Sequence, residues 1–207
     1  MISRTVHKNL SAAWREQEEV LTAASDHTLM EAVARGQTLA FEQLSFRHLR
    51  TMLGVAHRIL GNAAEAEEVV QEGFLRLWRQ APQWDPDGTG SVKTWLSRVI
   101  TNLCLDRCRR RRDVPLEEAG EVQDTARDAF DDLGLQDRQK LVQSLLSGLP
   151  ERQRVAVVLA YFEEMSGKEI AEAMELSAGA VESLLVRARR TLRDRAETMG
   201  IVWGENI

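Results

Sequence analysis

Lys93, Trp95, Arg98 and Asn102 stand ahead of an unbroken run, Arg109, Arg110, Arg111 and Arg112. Rings, an amide and cations in this mixture suit a single strand of nucleic acid. Bases stack on rings, an amide reads an exposed base edge, and cations follow the phosphate backbone. The plainer reading makes Trp95 a core residue and the arginine run a solvated face. Farther along, Gly179, Glu182, Ser183, Val186, Arg187 and Arg190 share the outer face of a helical pattern. Arg187 or Arg190 could take a guanine edge or phosphates, Ser183 a phosphate or base, and Glu182 a cytosine amine. Glu65, Glu68 and Glu72 recur at i, i+3 and i+7 and form an acidic stripe, with Glu72 placed to pair with Arg76. Beside an exposed Phe74, Trp78 or Leu75 such a stripe would suit a basic protein partner, although by periodicity alone a solvated face over a core of Val70, Phe74 and Leu77 is the better reading. Cys104 and Cys108, at i and i+4, are too few for a zinc site or a disulfide scaffold.

Helices must position these groups. Asp26 can cap a short helix to about Arg35. Leu39, Phe41, Leu44, Leu49, Leu53, Ala56 and Leu60 keep helical spacing from Thr38 to Gly61. Asn62 and Glu65 read as a reciprocal cap for a helix over 63–80, which ends before Pro82. Gly73 lies inside it, at a cost of roughly 1 kcal/mol relative to alanine. Trp84 to Ser91 has turn chemistry, and Ser91 can cap a helix over 92–112. Periodicity resumes at Leu141, Leu145, Leu146 and Leu149. Gly148 and Pro150 interrupt it before a buried helix, Glu151 to Phe162. A short helix, Gly167 to Met174, the turn Glu175-Leu176-Ser177 and a long helix from Ala178 to about Thr198 have helix-turn-helix spacing. Ile170, Met174, Leu176, Val181, Leu184, Leu185, Ala188 and Leu192 form its inner face, and Ser177 can cap the second helix.

The whole chain agrees with this reading. It has 207 residues, 43% hydrophobic and 29% charged, with four prolines and one tyrosine. That composition favours helix over sheet and excludes a mostly disordered or fibrous chain. The longest apolar run, Val155 to Phe162, is too short for a membrane span. With no secretory signal pattern, a cytoplasmic location is the default expectation. The net charge of -5 conceals a polarised distribution. Residues 93–112 carry seven basic groups and one acid; residues 113–138 carry nine acids and two basic groups; residues 187–195 carry five arginines and one aspartate. Basic elements of this kind are footprints for phosphate. The acidic stretch is too long for an ordinary loop and reads as a flexible linker. The expected fold is therefore all-α, with two small helical domains joined by an acidic linker, the C-terminal one a helix-turn-helix. The expected divisions are an extension (1–25), a first domain (26–112), the linker (113–138), a second domain (139–200) and a tail (201–207).

Three segments, in order, resemble the bacterial sigma factors of the sigma-70 family. Ala64-Glu65-Ala66-Glu67-Glu68-Val69-Val70-Gln71-Glu72-Gly73-Phe74-Leu75-Arg76-Leu77-Trp78 is similar to their polymerase-binding segment. Trp95-Leu96-Ser97-Arg98-Val99-Ile100-Thr101-Asn102-Leu103-Cys104-Leu105-Asp106, with the arginine run, resembles the segment that reads the minus-ten element. Leu149-Pro150-Glu151-Arg152-Gln153-Arg154 and the helix-turn-helix resemble the minus-thirty-five-binding domain. Having these two domains alone is the layout of the extracytoplasmic-function (ECF) subfamily, and the likeness covers about residues 26–198. The resemblance implies that Glu65, Glu68, Gln71, Glu72, Leu75 and Trp78 dock on core RNA polymerase. It implies that Asn102 holds a flipped minus-ten base in a pocket shaped by the Trp84–Ser91 loop, while Lys93, Trp95, Arg98 and the arginines Arg109 to Arg112 grip the strand. It assigns Lys168, Ser177, Gly179, Glu182, Ser183, Arg187 and Arg190 to the minus-thirty-five duplex. It also implies an anti-sigma partner. Two residues depart from the pattern: Gly73, which would soften the polymerase-binding helix, and Glu182, where a basic residue is common.

No catalytic residue, metal, cofactor, small-molecule substrate or membrane insertion is expected; there is no phosphate loop, nucleophile elbow or zinc-protease helix. Two rival readings keep a non-enzymatic role. A plain helix-turn-helix regulator leaves the first domain unexplained. A sigma mimic that titrates an anti-sigma protein would not need Asn102 or the arginine run.

Overall fold

The computed structural model describes residues 21–85, 91–113 and 133–200, without the side chains of 112, 113 and 133–136. The extension to residue 20, most of the Trp84–Ser91 loop, most of the acidic linker and the tail lie outside the described residues. Every regular element described is helical: α1 (Asp26–Ala34), α2 (Thr38–Leu60), α3 (Ala63–Gln80), a 3-10 turn (Ala81–Gln83), α4 (Val92–Asp113), α5 (Leu133–Ser147), α6 (Glu151–Tyr161), α7 (Gly167–Met174) and α8 (Ala178–Thr198). The all-α expectation holds. Helix α5 already begins at Leu133, inside the stretch read as linker.

Local chemistry sets most boundaries. Gly61 ends α2 in the left-handed region at φ 68°, its N–H bonding His57 O at 2.8 Å. Ser91 and Ser177 cap α4 and α8, accepting from Thr94 N at 3.0 Å and Ala180 N at 3.2 Å. Two expected caps differ. Ser25, not Asp26, caps α1 by accepting from Thr28 N. Asp26 is instead held by Arg47 and by His48 Nε2 at 2.6 Å. Asn62 caps α3 by accepting from Glu65 N at 2.9 Å, but the Glu65 side chain turns to Arg111, so the cap is not reciprocal. A cation across the helix pair outbids a neutral backbone N–H.

Helices α1–α4 pack around Leu29, Met30, Leu44, Met52, Ile59, Leu77, Leu96 and Ile100, all fully buried. Gly73 belongs to this contact. A Cβ there would lie 2.9 Å from Ile100 Cγ1, so the glycine lets α4 approach α3 closely. Its cost as a helix residue is thus tied to packing. Helices α6–α8 enclose Val155, Leu159, Ile170, Val181 and Ala188. Leu176, Leu184 and Leu185 pack at the margin of that core, as the helix-turn-helix pattern requires.

The two helical groups also pack on one another: α7 lies on α4, and α6 on α2. Side chains from the second group and from α4 converge on the carbonyls that end α2. Gln143 Nε2 donates to His57 O at 3.4 Å, Arg154 Nη1 to Ile59 O at 2.7 Å, and Arg111 Nη1 to Leu60 O at 3.1 Å. Donors and cations suit a helix C-terminus, whose last carbonyls lack partners and carry partial negative charge. No helix among the described residues is long and apolar enough to cross a membrane.

Candidate nucleic-acid interface

Helix α3 presents Glu68, Gln71 and Leu75 outward along one stripe, with Glu72 half-buried beside them. Leu75 is a large apolar side chain left 42% exposed. Trp78 is half-buried, edge-on to Phe41 at 5.1 Å between ring centroids. The acids of the stripe are partly neutralised. Glu72 pairs with Arg76 at 2.9 Å as expected. Glu65 and Glu68 are met by Arg111 and Arg107 of α4, the latter pair at 2.8 Å. Arg107 was not singled out by sequence. Its signal was present: cations at i and i+4 on α4 face acids at i and i+3 on α3.

That pairing sorts the arginine run. Arg111 is directed at Glu65 and at Leu60 O. Arg109 and Arg110 are exposed, Arg109 within 3.3 Å of Asp106. The side chain of Arg112 lies outside the described ones. Upstream on α4, Trp95 packs edge-on against Trp84 at 6.5 Å, so both rings are shared with the packing of the helix. Asn102 is half-buried and lines a cleft of about 310 Å3 between α4 and the second group. Leu105, Asp106 and Arg109 line the α4 side; Arg152, Met174 and Glu175 face them.

On the helix-turn-helix, Lys168, Ser177, Gly179, Glu182, Ser183, Val186, Arg187 and Arg190 are all exposed. Two hydrogen bonds prearrange this face: Ser183 Oγ donates to Gly179 O at 2.9 Å, and Arg187 Nε to Ser183 O at 3.0 Å. Arg195, last of the C-terminal arginines, is structural. Its guanidinium lies against Gly148, where a Cβ would clash, and Nη2 donates to Ser144 O at 3.3 Å.

Burial shifts several groups. The Cys104 and Cys108 thiols are pushed up, mainly by desolvation. The guanidinium groups of Arg58 and Arg154 are lowered, again mainly by desolvation. The Ser166 hydroxyl, then its N–H, hold the Glu169 carboxyl below the usual range. Among the described residues no three His, Cys, Asp or Glu side chains converge as metal ligands. The arrangement offers three surfaces for binding: one acidic and apolar stripe, one basic and aromatic helix, and one exposed helix-turn-helix face.

Two separate stretches of the chain match known family models. Residues 46–114 match the family model for sigma-70 region 2, and residues 139–192 that for sigma-70 region 4. The chain is 33% identical over 159 residues to the ECF RNA polymerase sigma factor SigE of Mycolicibacterium smegmatis, covering 75% of this chain and 61% of that protein. It is 31% identical over 186 residues to the RNA polymerase sigma-H factor of Pseudomonas aeruginosa, covering 84% of this chain and 94% of that one. Among solved structures, it superposes with a TM-score of 0.64 and 26% identity on CnrH in complex with the cytosolic domain of CnrY, covering 84% of this chain and 97% of CnrH. The chain belongs to the ECF RNA polymerase sigma factors of the sigma-70 family.

Proposed function

We propose that this chain is a promoter-specificity subunit, not a catalyst. It binds core RNA polymerase through α3, grips the minus-ten strand with α4, and reads the minus-thirty-five duplex with α8. The observation that carries this reading is the separation of three surfaces with different chemistry on one small helical body. Glu68, Gln71, Glu72 and Leu75, flanked by Glu65 and Trp78, offer acids and an apolar contact to a basic protein surface. Arg98, Asn102, Arg109 and Arg110, with Lys93 and Trp95, offer the cations and amide that a single strand needs. Lys168 and Ser177 flank the recognition face of Gly179, Glu182, Ser183, Arg187 and Arg190, as in a helix docked in the major groove. The work is done in the cytoplasm and is held in check by an anti-sigma protein. The solved relative CnrH, bound to a cytosolic domain of CnrY, supports a protein partner for this chain.

The test is single-round transcription with core polymerase, this chain and sheared host DNA, mapping RNA starts. Discrete starts that share upstream elements are expected. Asn102→Ala should lower promoter opening about ten-fold, the loss of one held base worth roughly 1–3 kcal/mol, and leave initial docking nearly unchanged. No discrete starts despite polymerase binding would refute the reading.

A further inference from the structure

Among the described residues two ion pairs, Lys93 with Glu163 and Arg98 with Glu175, join the first and second helical groups, and both use cations assigned above to the minus-ten strand. Lys93 Nζ lies 3.2 Å from Glu163 Oε2 and also donates to Glu163 O at 3.4 Å. Arg98 Nη2 donates to Glu175 Oε1 at 3.2 Å. These glutamates bracket α7: one lies in the loop before it, the other directly after its last residue. Both belong to unusual backbone. Glu175 itself, and Glu164 next to Glu163, hold φ of 54° and 53°, a left-handed conformation that non-glycine residues adopt at a cost.

Glu163 is the only acid among the buried polar residues of the described chain, its side chain 4% exposed against 45% for Lys93. Arg58, whose guanidinium lies over the Phe162 ring at 4.3 Å, adds a second positive charge near it. A carboxylate so placed needs those cations, because a buried charge without a partner is costly. The same packing leaves Asn102 half-buried in the cleft beside Met174 and Glu175. By contrast, Glu68, Gln71 and Leu75, and the face from Gly179 to Arg190, stay open to solvent.

We infer that Glu163 and Glu175 form an internal latch, two carboxylates standing where strand phosphates would bind, which closes the minus-ten surface of α4 and leaves the other two surfaces free. This deepens the proposed function and rests on its assignment of α4 to DNA. Opening the latch exchanges one anion for another. Glu163 regains water, while Lys93 and Arg98 take phosphate, so the cations are never without a partner. Polymerase and duplex DNA can therefore engage the closed chain, and the single strand cannot.

The test uses the full chain and a labelled pool of random single-stranded 12-mers, read by fluorescence anisotropy. Glu163→Gln with Glu175→Gln is compared with Glu164→Gln with Glu172→Gln, which makes the same charge change on exposed neighbours. Dyes at Glu67→Cys and Ala180→Cys report the separation of the groups by energy transfer. The latch pair should raise single-strand affinity about ten-fold and lower transfer, and the control pair should change affinity less than two-fold and leave transfer unchanged. Glu175→Gln alone, at a residue whose side chain is 67% exposed, should give a smaller shift in the same direction without endangering the fold. Equal affinity gains in both pairs, or unchanged transfer in the latch pair and in Glu175→Gln, would overturn the latch. Lower transfer with unchanged affinity would instead remove the assignment of α4 to the strand.

Discussion

Gly73 shows how one residue can carry opposite arguments. Replacing it with alanine should favour an isolated helix by about 1 kcal/mol. Here the new methyl would sit 2.9 Å from Ile100 Cγ1, inside a closed core, where overpacking costs about 1–3 kcal/mol. Packing wins, so Gly73→Ala should lower the melting temperature by a few degrees. A higher melting temperature would mean that Ile100 yields freely. The cysteines make a second case. Cys104 is fully buried and Cys108 nearly so, and desolvation raises both thiols. The thiolate is the reactive species, so neither should react with iodoacetamide at neutral pH until the chain is unfolded. Rapid labelling of the native chain, followed by mass spectrometry, would contradict this placement.

Helix α7 is only eight residues long, and its start depends on a capping box. The Ser166 hydroxyl accepts from Glu169 N at 3.3 Å, and its own hydrogen and the Ser166 N–H point to Glu169 Oε2 at 2.7 and 2.8 Å. Ser166→Ala should cost about 1 kcal/mol, seen in denaturant unfolding. The carboxylate is also a pH sensor. Its folded pKa is lowered, so its contribution is complete above the ordinary glutamate pKa and fades as pH falls through the folded value. Glu169→Gln should flatten that part of the acid-stability profile; an unchanged slope would show that other groups set it. Elements like this were legible in sequence wherever a turn residue met a periodic run. Gly61, Ser91, Ser177 and the helix-turn-helix spacing each belong to short stretches that decide their own conformation. Most contacts between helices were not legible. Asp26 and Glu65 look like caps in sequence, and distant cations on α2 and α4 claim them. The division of the arginine run into Arg111, paired across to Glu65, and Arg109 and Arg110, which point away from that pair, depends on where α3 lies. So does the pairing of Arg98 with Glu175, which joins residues 77 positions apart.

For the molecule as a whole, the energies decide what it can do alone. Opening duplex DNA costs about 1.4 kcal/mol per base-pair step, so a bubble of about ten pairs costs on the order of 14 kcal/mol. Base-edge contacts return roughly 1–3 kcal/mol each, and a stacked base a similar amount. A chain of net charge -5, whose Lys93 and Arg98 are already occupied by its own carboxylates, cannot close that gap. On the proposed function, the exposed face from Gly179 to Arg190 can still find duplex. The isolated chain should therefore protect upstream promoter DNA weakly and leave every thymine of the minus-ten element unreactive to permanganate. Adding core polymerase should make those thymines reactive, because on the proposed function the polymerase supplies a second grip and fixes both helical groups on one duplex. Salt separates the two steps. Phosphate contacts release counterions, so weak upstream protection by the free chain should fall steeply as salt rises. The assembled complex, with part of its hold in the protein–protein contacts proposed for α3, should lose less. Permanganate reactivity from the chain alone, at any salt, would show that it carries more binding energy than its surfaces can account for.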